Sequence, residues 1–277
     1  MNAVVLALCA AALWGTGDFL GGLAARRITV FIVLFWSQLV GLLGLVVWAL
    51  ASSTERPGAT HVLLAAGAGV AGVVGLGCLY RGMAIGAMGI VAPISATSPV
   101  VPLLVDVARG RSPEPVQWLG ILVALVGVVL VSREPGGKRG AAAAGVGLAL
   151  TAALGFGLFL VGLGEAAQEG AAGAAAAARM GSVAAITVAL AATRTRPRIG
   201  AGLVPLVVTI GVFDTGANAL IALASTRGAI GIVAVLSALY PVTTILLART
   251  LLHERLGASR TAGGLIALAG AALIAAG

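Results

Sequence analysis

Long apolar stretches, interrupted at short intervals by one or a few charged residues, set the pattern of this chain. Runs free of Asp, Glu, Lys and Arg cover residues 1–17, 28–54, 57–80, 82–105, 115–132, 140–164, 180–193, 199–213, 228–248 and 261–277. A helix that crosses a bilayer needs about 20 mostly apolar residues. Most of the runs meet that length directly. Three reach it by taking one charge inside the membrane: Asp18 in the first, Arg179 in the seventh and Asp214 in the eighth. The last run becomes a full span if it starts near Ala258. The pattern therefore predicts an all-α, polytopic membrane protein of ten transmembrane helices joined by short connections. A transmembrane β-barrel would instead show short alternating strands with a polar lumen face, and the runs here are long and uniformly apolar. The N-terminus lacks the basic segment of a cleaved signal peptide, so the first run reads as a span.

Composition agrees with this pattern. Of 277 residues, 60% are apolar and 9% are charged, against about 25% charged in an ordinary soluble domain. The chain does not carry enough polar surface for a soluble enzyme, a nucleic-acid-binding domain or a disordered segment. The pI near 11.2 takes its meaning from where the basic residues lie.

The chain repeats internally. Residues 86–100 read GAMGIVAPISATSPV and residues 228–242 read GAIGIVAVLSALYPV, with ten of 15 positions identical at an offset of 142. A weaker echo links Gly15, Gly17 and Phe19 with Gly155, Gly157 and Phe159. The polar stretch at 133–140 separates the two copies, giving repeat units at 1–136 and 137–277. Each unit holds five predicted helices. An odd number makes the second unit enter the membrane in the opposite sense, the arrangement of inverted-repeat secondary transporters with midplane sites. Access would then alternate by rocking of one half against the other. Pro93, Pro99 and Pro102 interrupt the fourth span and Pro241 the ninth, with Ser95 and Ser237 at matching positions beside them. Two readings are open: broken helices lining a cavity, or kinks that serve helix packing. Gly67, Gly69, Gly72, Gly75 and Gly77 in the third span predict close helix contact.

Ten basic residues (Arg26, Arg27, Arg133, Lys138, Arg139, Arg194, Arg196, Arg198, Arg255, Arg260) fall in odd-numbered connections, and four (Arg56, Arg109, Arg111, Arg227) in even-numbered ones. The positive-inside rule puts the ten in the cytoplasm and both termini outside. The high pI is thereby explained by topology and contact with anionic lipid headgroups, and nucleic acid is not an expected partner.

Ionisable groups at membrane depth are costly and normally face a cavity or a partner. Asp18, Arg81, Arg179 and Asp214 are the deepest here. Asp214 and Asn218 share a helix face, as do Trp14 and Asp18. These faces, with Gln38, Tyr80, Arg81, Ser95, Arg179, Ser237 and Tyr240, are expected to line a substrate cavity. Asp18 and Asp214 are the candidates for proton coupling. The competing reading is that Asp18–Arg81 and Asp214–Arg179 are closed structural ion pairs. Glu165 and Glu169 are expected to be solvated in a short connection, and His61 and His253 to be structural. No metal or cofactor site is expected, nor a role for Cys9 or Cys78 beyond packing.

Gly15-Thr16-Gly17-Asp18 also matches the GxGD pattern of intramembrane aspartyl proteases, and Asp214 could supply the second carboxylate of a proton-sharing dyad. The aromatic-Asp motif of that family precedes GxGD, however, and here Phe213-Asp214 follows it. A Pro-Ala-Leu motif is missing, and the inverted repeat has no role in a protease. An enzyme is not expected.

The sequence resembles the EamA-domain family of the drug/metabolite transporter superfamily. The resemblance rests on Ala12-Leu13-Trp14-Gly15, the paired Gly-Ala-x-Gly-Ile-Val-Ala segments, His253-Glu254-Arg255 before Gly263, and the 17–22 stretch GDFLGG. It implies a secondary transporter in the bacterial inner membrane, usually an exporter of amino acids, related metabolites or drugs, working by alternating access. The partners expected are a small solute and the bilayer, in a monomer or weak homodimer. An uncoupled facilitator or channel on the same fold is the alternative. The chain departs from the family in three ways. Ser37-Gln38 stand where members often carry an Arg early in the second helix, while Arg179 fits the matching place in the second half. Arg111 stands opposite Glu254 when Gly120 is aligned with Gly263. Characterised members resemble a termini-inside arrangement, opposite to the one the basic residues favour.

Overall fold

The computed structural model describes residues 2–25, 27–52, 57–84, 95, 97–132, 142–251 and 258–276, and among these it contains helices and connections but no strand. In chain order the helices are α1 (Ala3–Ala25), α2 (Val30–Ala51), α3 (Ala59–Ala84), α4 (Val100–Ala108), α5 (Pro115–Ser132) and α6 (Ala142–Ala167). They continue as α7 (Ala171–Ala192), α8 (Val204–Ser225), α9 (Ile230–Ser237), α10 (Tyr240–Leu251) and α11 (Ala258–Ala276). Two starts follow from proline. Pro115 opens α5 and Pro205 lies in the first turn of α8, where the missing N–H would have had no helical partner. Six helices (α1, α2, α3, α6, α7 and α8) are long and apolar enough to cross a membrane, and α5 and α11 supply shorter apolar segments.

The fourth and ninth spans are broken. α9 stops at Ser237, Ala238 and Leu239 form a turn, and α10 restarts at Tyr240. In the first half, a turn at Thr97, Ser98 and Pro99 precedes α4. At the repeat offset of 142, Ser95 corresponds to Ser237 and Val100 to Val242, so the two breaks coincide. Tight i to i+3 bonds carry the chain through each one: Ser98 N–H to Ser95 O (3.1 Å), and Val242 N–H to Leu239 O (2.9 Å). Such short 3₁₀-type turns keep backbone groups satisfied where no water is at hand.

Packing is mainly between the halves, not within them. α3 packs on α6 and α7, α1 on α8, α9 and α10, α2 on α7 and α8, α4 on α6 and α9, and α5 on α11. Replacing each span by the one five places further on maps this set onto itself: α3–α6 becomes α8–α1, and α3–α7 becomes α8–α2. The pairs α2–α7, α4–α9 and α5–α11 map onto themselves. Two mixed bundles result, one of α3, α4 and α6 and one of α1, α8, α9 and α10. Each half buries its helix faces against the other, so neither half is a separate body.

The symmetry is broken in one respect. α6, α7 and α8 pack on one another, whereas among their counterparts α1, α2 and α3 only α1 and α2 form a comparable contact in the described residues.

Small residues sit inside and large ones outside. The core is dominated by alanine (Ala7, Ala10, Ala65, Ala152, Ala174, Ala217, Ala224, Ala267), while Leu43, Val47, Leu50, Leu63, Val126, Leu265 and Leu268 are exposed. Small side chains let helix backbones approach closely, and lipid covers the outward Leu and Val. In α3, Gly69, Gly72 and Gly75 behave as expected: a Cβ on Gly72 would lie 3.1 Å from the Phe159 ring, and one on Gly75 3.1 Å from the Ala152 carbonyl oxygen. Gly67 and Gly77 face open space instead.

Candidate functional site

The buried polar residues of the described chain gather mainly at two levels of the bundle. The first level lies midway along the helices. Gln38 comes from α2, Arg179 from α7, Asp214 and Asn218 from α8, Asp18 from α1 and Tyr240 from the start of α10. Arg179 is 4% exposed. One guanidinium nitrogen, Nη1, lies 2.6 Å from Asp214 Oδ2 and also donates to Gln38 Oε1. Its other terminal nitrogen, Nη2, is buried without a hydrogen-bond partner. Asn218 Nδ2 donates to the Asp214 carbonyl oxygen at 2.7 Å and to Asp214 Oδ1 at 3.3 Å. Its amide oxygen has no partner, and neither does Thr215 Oγ1.

Helix packing places these groups. Gln38 and Arg179 stand 141 residues apart, close to the repeat offset, on the α2–α7 pair that the repeat relation maps onto itself. The position where the first half carries Gln38 instead of Arg thus meets the Arg of the second half directly. Gly41, one turn beyond Gln38, leaves room for this: a Cβ there would lie 3.4 Å from Arg179 Cζ and would collide with Thr215 Oγ1. Beside the cluster, Ser182 Oγ is 3.0 Å from the Gly69 carbonyl oxygen and 3.1 Å from that of Ala178, tying α7 to α3.

Asp18 has different surroundings. It lies within electrostatic range of Asp214 and of Tyr240, so α1, α8 and α10 converge on one space. α1 and α8 are in direct contact at this depth, since a Cβ on Gly17 would sit 3.7 Å from Phe213 Cβ. Yet the Asp18 side chain is exposed. Asp214 is 28% exposed and already holds Arg179.

The remaining expected residues divide as follows. Trp14 is half-buried and packs against the core beside α1. Ser95 and Ser237 are buried, and the Ser237 hydroxyl donates to the Ala234 carbonyl at 2.9 Å, closing the end of α9 at the break. The side chains of Tyr80 and Arg81 lie outside the described residues, as does His253. The Asp214–Arg179 ion pair is formed. Cys9 and Cys78 are free thiols, and no group of metal-ligating side chains occurs among the described residues.

The second level lies at the end of the bundle that carries the α2–α3, α4–α5, α6–α7 and α8–α9 connections. Glu165 pairs with Arg109, and Glu169 with His61 (2.9 Å) and with the Gly58 N–H (2.9 Å). Gln168 Nε2 donates to the Ser225 carbonyl oxygen at 2.5 Å, and the Gly231 N–H donates to Asp106 Oδ2 at 2.5 Å. The two glutamates expected to be merely solvated are therefore tied across connections. Sequence reasoning missed this network, along with Gly41, Ser182 and Thr215. The available signal was the i to i+3 and i to i+4 spacing of Glu165, Gln168 and Glu169 at one helix end.

The profile of the EamA-like transporter family matches residues 1–133 and 143–276. The chain belongs to that family. It is accordingly a multi-pass membrane protein of a transporter family, built as two EamA-like units. A solved structure titled "Crystal structure of protein" shares the fold, with a TM-score of 0.76 at 19% identity over 98% of this chain and 95% of that one. The comparison with curated proteins gave no match. The GxGD resemblance is placed in context by this family match: the EamA-like chain carries its two membrane aspartates on a transporter fold, with Arg179 occupying the Asp214 oxygen that a protease dyad would share.

Proposed function

We propose that this protein is a secondary-active exporter of small organic solutes, working by alternating access between inverted five-helix repeats. The observation that carries this reading is the mid-helix cluster. It holds the buried, unpaired Arg179 Nη2 and Asn218 amide oxygen around Asp214, which lies within electrostatic range of the exposed Asp18. Unsatisfied polar groups at membrane depth cost free energy, and a polar solute that completes their hydrogen bonds offsets that cost. Arg179 and Asn218 would orient the solute.

Asp18 is our candidate for the proton-carrying acid, ahead of Asp214. Asp214 has a fixed cationic partner in Arg179, whereas Asp18 is exposed, where a proton can reach it. The moving bodies in this reading are the mixed bundles α3–α4–α6 and α1–α8–α9–α10, and the breaks in the fourth and ninth spans supply the bending points.

We place the protein in the bacterial inner membrane with both termini outside, on the ten-to-four distribution of basic residues. The test is reconstitution in liposomes with a panel of amino acids and cationic drugs, with and without a pH gradient. Gradient-dependent flux that Asp18→Asn abolishes, while solute counterflow persists, supports the coupled mechanism. Flux that ignores the gradient in both forms points to the facilitator.

A further inference from the structure

We infer that Asp106 and Gln168 latch one end of the transport path shut, and that the Asp106 carboxylate is not repeated at the equivalent position of the second half. The inference rests on the alternating-access reading above and identifies residues that would control it.

The α6–α7 end is closed by contacts between the two mixed bundles. Asp106, on α4, is 1% exposed and accepts the Gly231 N–H of α9 at 2.5 Å. Gln168, after α6, reaches the Ser225 carbonyl oxygen at the end of α8 at 2.5 Å. Each bond joins the α3–α4–α6 bundle to the α1–α8–α9–α10 bundle. Both satisfy groups that a helix end leaves open. The N-cap of α9 is Ala229, which has no side-chain acceptor, so Asp106 supplies the acceptor from a different helix. Gln168 does the same for a carbonyl in the last turn of α8. Arg109–Glu165 and His61–Glu169 brace the same connections from within the first bundle and from α3.

The helices lie too close here for the bond to be incidental. A Cβ on Gly231 would sit 2.8 Å from Leu103 Cα and 3.0 Å from Asp106 Oδ2. This is the α4–α9 pair, which the repeat maps onto itself. Applying the offset of 142 puts Ala248 at the position equivalent to Asp106, and Gly89 at that equivalent to Gly231. The amide is thus repeated but the carboxylate is not. Ala248 cannot supply such a carboxylate, whereas Asp106 does so at the α6–α7 end, in line with the mutual packing of α6, α7 and α8 there. Separation of the bundles at this end exposes the buried Asp106 carboxylate and breaks both bonds. Hydrogen bonds to a charged group of this kind shift an equilibrium about tenfold or more.

Spin labels on the exposed residues Ala108 and Thr226 (after replacement by cysteine in a chain lacking Cys9 and Cys78) report the separation across this end. The measurement is double electron–electron resonance on the full chain in liposomes. Asp106→Ala is expected to raise the long-distance population about tenfold, and Asp106→Asn, which keeps an acceptor, much less. Gln168→Ala, at an exposed side chain that leaves the fold intact, is expected to raise it in the same direction. Unchanged distance distributions in both Gln168→Ala and monodisperse Asp106→Ala would overturn the latch. Because the distances are read without substrate, they stand apart from the transport assay. A latch that opens in a protein without gradient-driven flux would sink the exporter reading and leave this one intact.

Discussion

Arg179 shows how one buried side chain can hold a site together. Its guanidinium joins Gln38 on α2 to Asp214 on α8 while lying 4% exposed. Truncating one partner of such a pair leaves a buried charge uncompensated, which costs about 3–5 kcal/mol. Arg179→Ala orphans Asp214, which is 28% exposed, and should therefore lower the thermal or denaturant stability of the purified protein by less than that amount. Arg179→Ala combined with Asp214→Ala should recover much of the loss, since the orphaned carboxylate is then gone. Additive losses in this double-mutant cycle would show that the pair is not energetically coupled. Asp18 should behave differently: at an exposed position, Asp18→Asn should change stability by less than about 1 kcal/mol and act on coupled transport instead. The residue types were legible in the sequence, because Asp18, Arg179, Asp214 and Asn218 stand out in apolar runs. Their division into a paired acid and an exposed acid was not, because it depends on which helices become neighbours.

At the scale of elements, the spans follow from run length and the breaks from local chemistry. The matched prolines and serines of the repeat marked where the fourth and ninth spans would bend. The structure shows an interruption there, with α9 ending at Ser237 and α10 starting at Tyr240. Helix contacts then depend on small residues. A Cβ on Gly120 would sit 2.8 Å from the Gly270 carbonyl oxygen, and one on Gly270 2.7 Å from that of Gly120. Gly270→Val should thus force α11 away from α5. Overpacking of this kind costs about 1–3 kcal/mol. α11 packs on α5 and not on the central cluster, so transport per folded molecule should be retained while unfolding in denaturant shifts to lower concentration. A loss of specific transport without a stability change would mean that the α5–α11 pair takes part in the cycle. Which glycines of α3 would serve packing was not readable from spacing: Gly69, Gly72 and Gly75 do, while Gly67 and Gly77 do not, because only one face of α3 meets α6 and α7.

The whole molecule is a pair of interleaved repeats caught in an asymmetric arrangement, with α6, α7 and α8 drawn together and α1, α2 and α3 apart. Our orientation puts the closed end outside, since the ten basic residues lie at the other. A tag on either terminus should then be accessible from the periplasm in intact cells. Accessibility only from the cytoplasm would reverse the sidedness, though not the closure itself. In the counter-state, the packing now seen among α6, α7 and α8 should appear among α1, α2 and α3.

Membrane residence, helical class, the two-fold repeat and the short roster of deep charges were all determined by the sequence alone. Each depends on local hydropathy or on identity at a fixed offset, and needs no knowledge of neighbours. Tertiary structure decided the rest: that the halves interlock, that Gln38 meets Arg179, that Asp18 is exposed while Asp214 is paired, and that Asp106 caps a helix of the other half. The physical reason is common to all four. In a core of alanine and glycine, many helix pairings are sterically open to the same apolar faces, and the few polar contacts that select among them join residues far apart in the chain, as with the 141 positions between Gln38 and Arg179 and the 125 between Asp106 and Gly231.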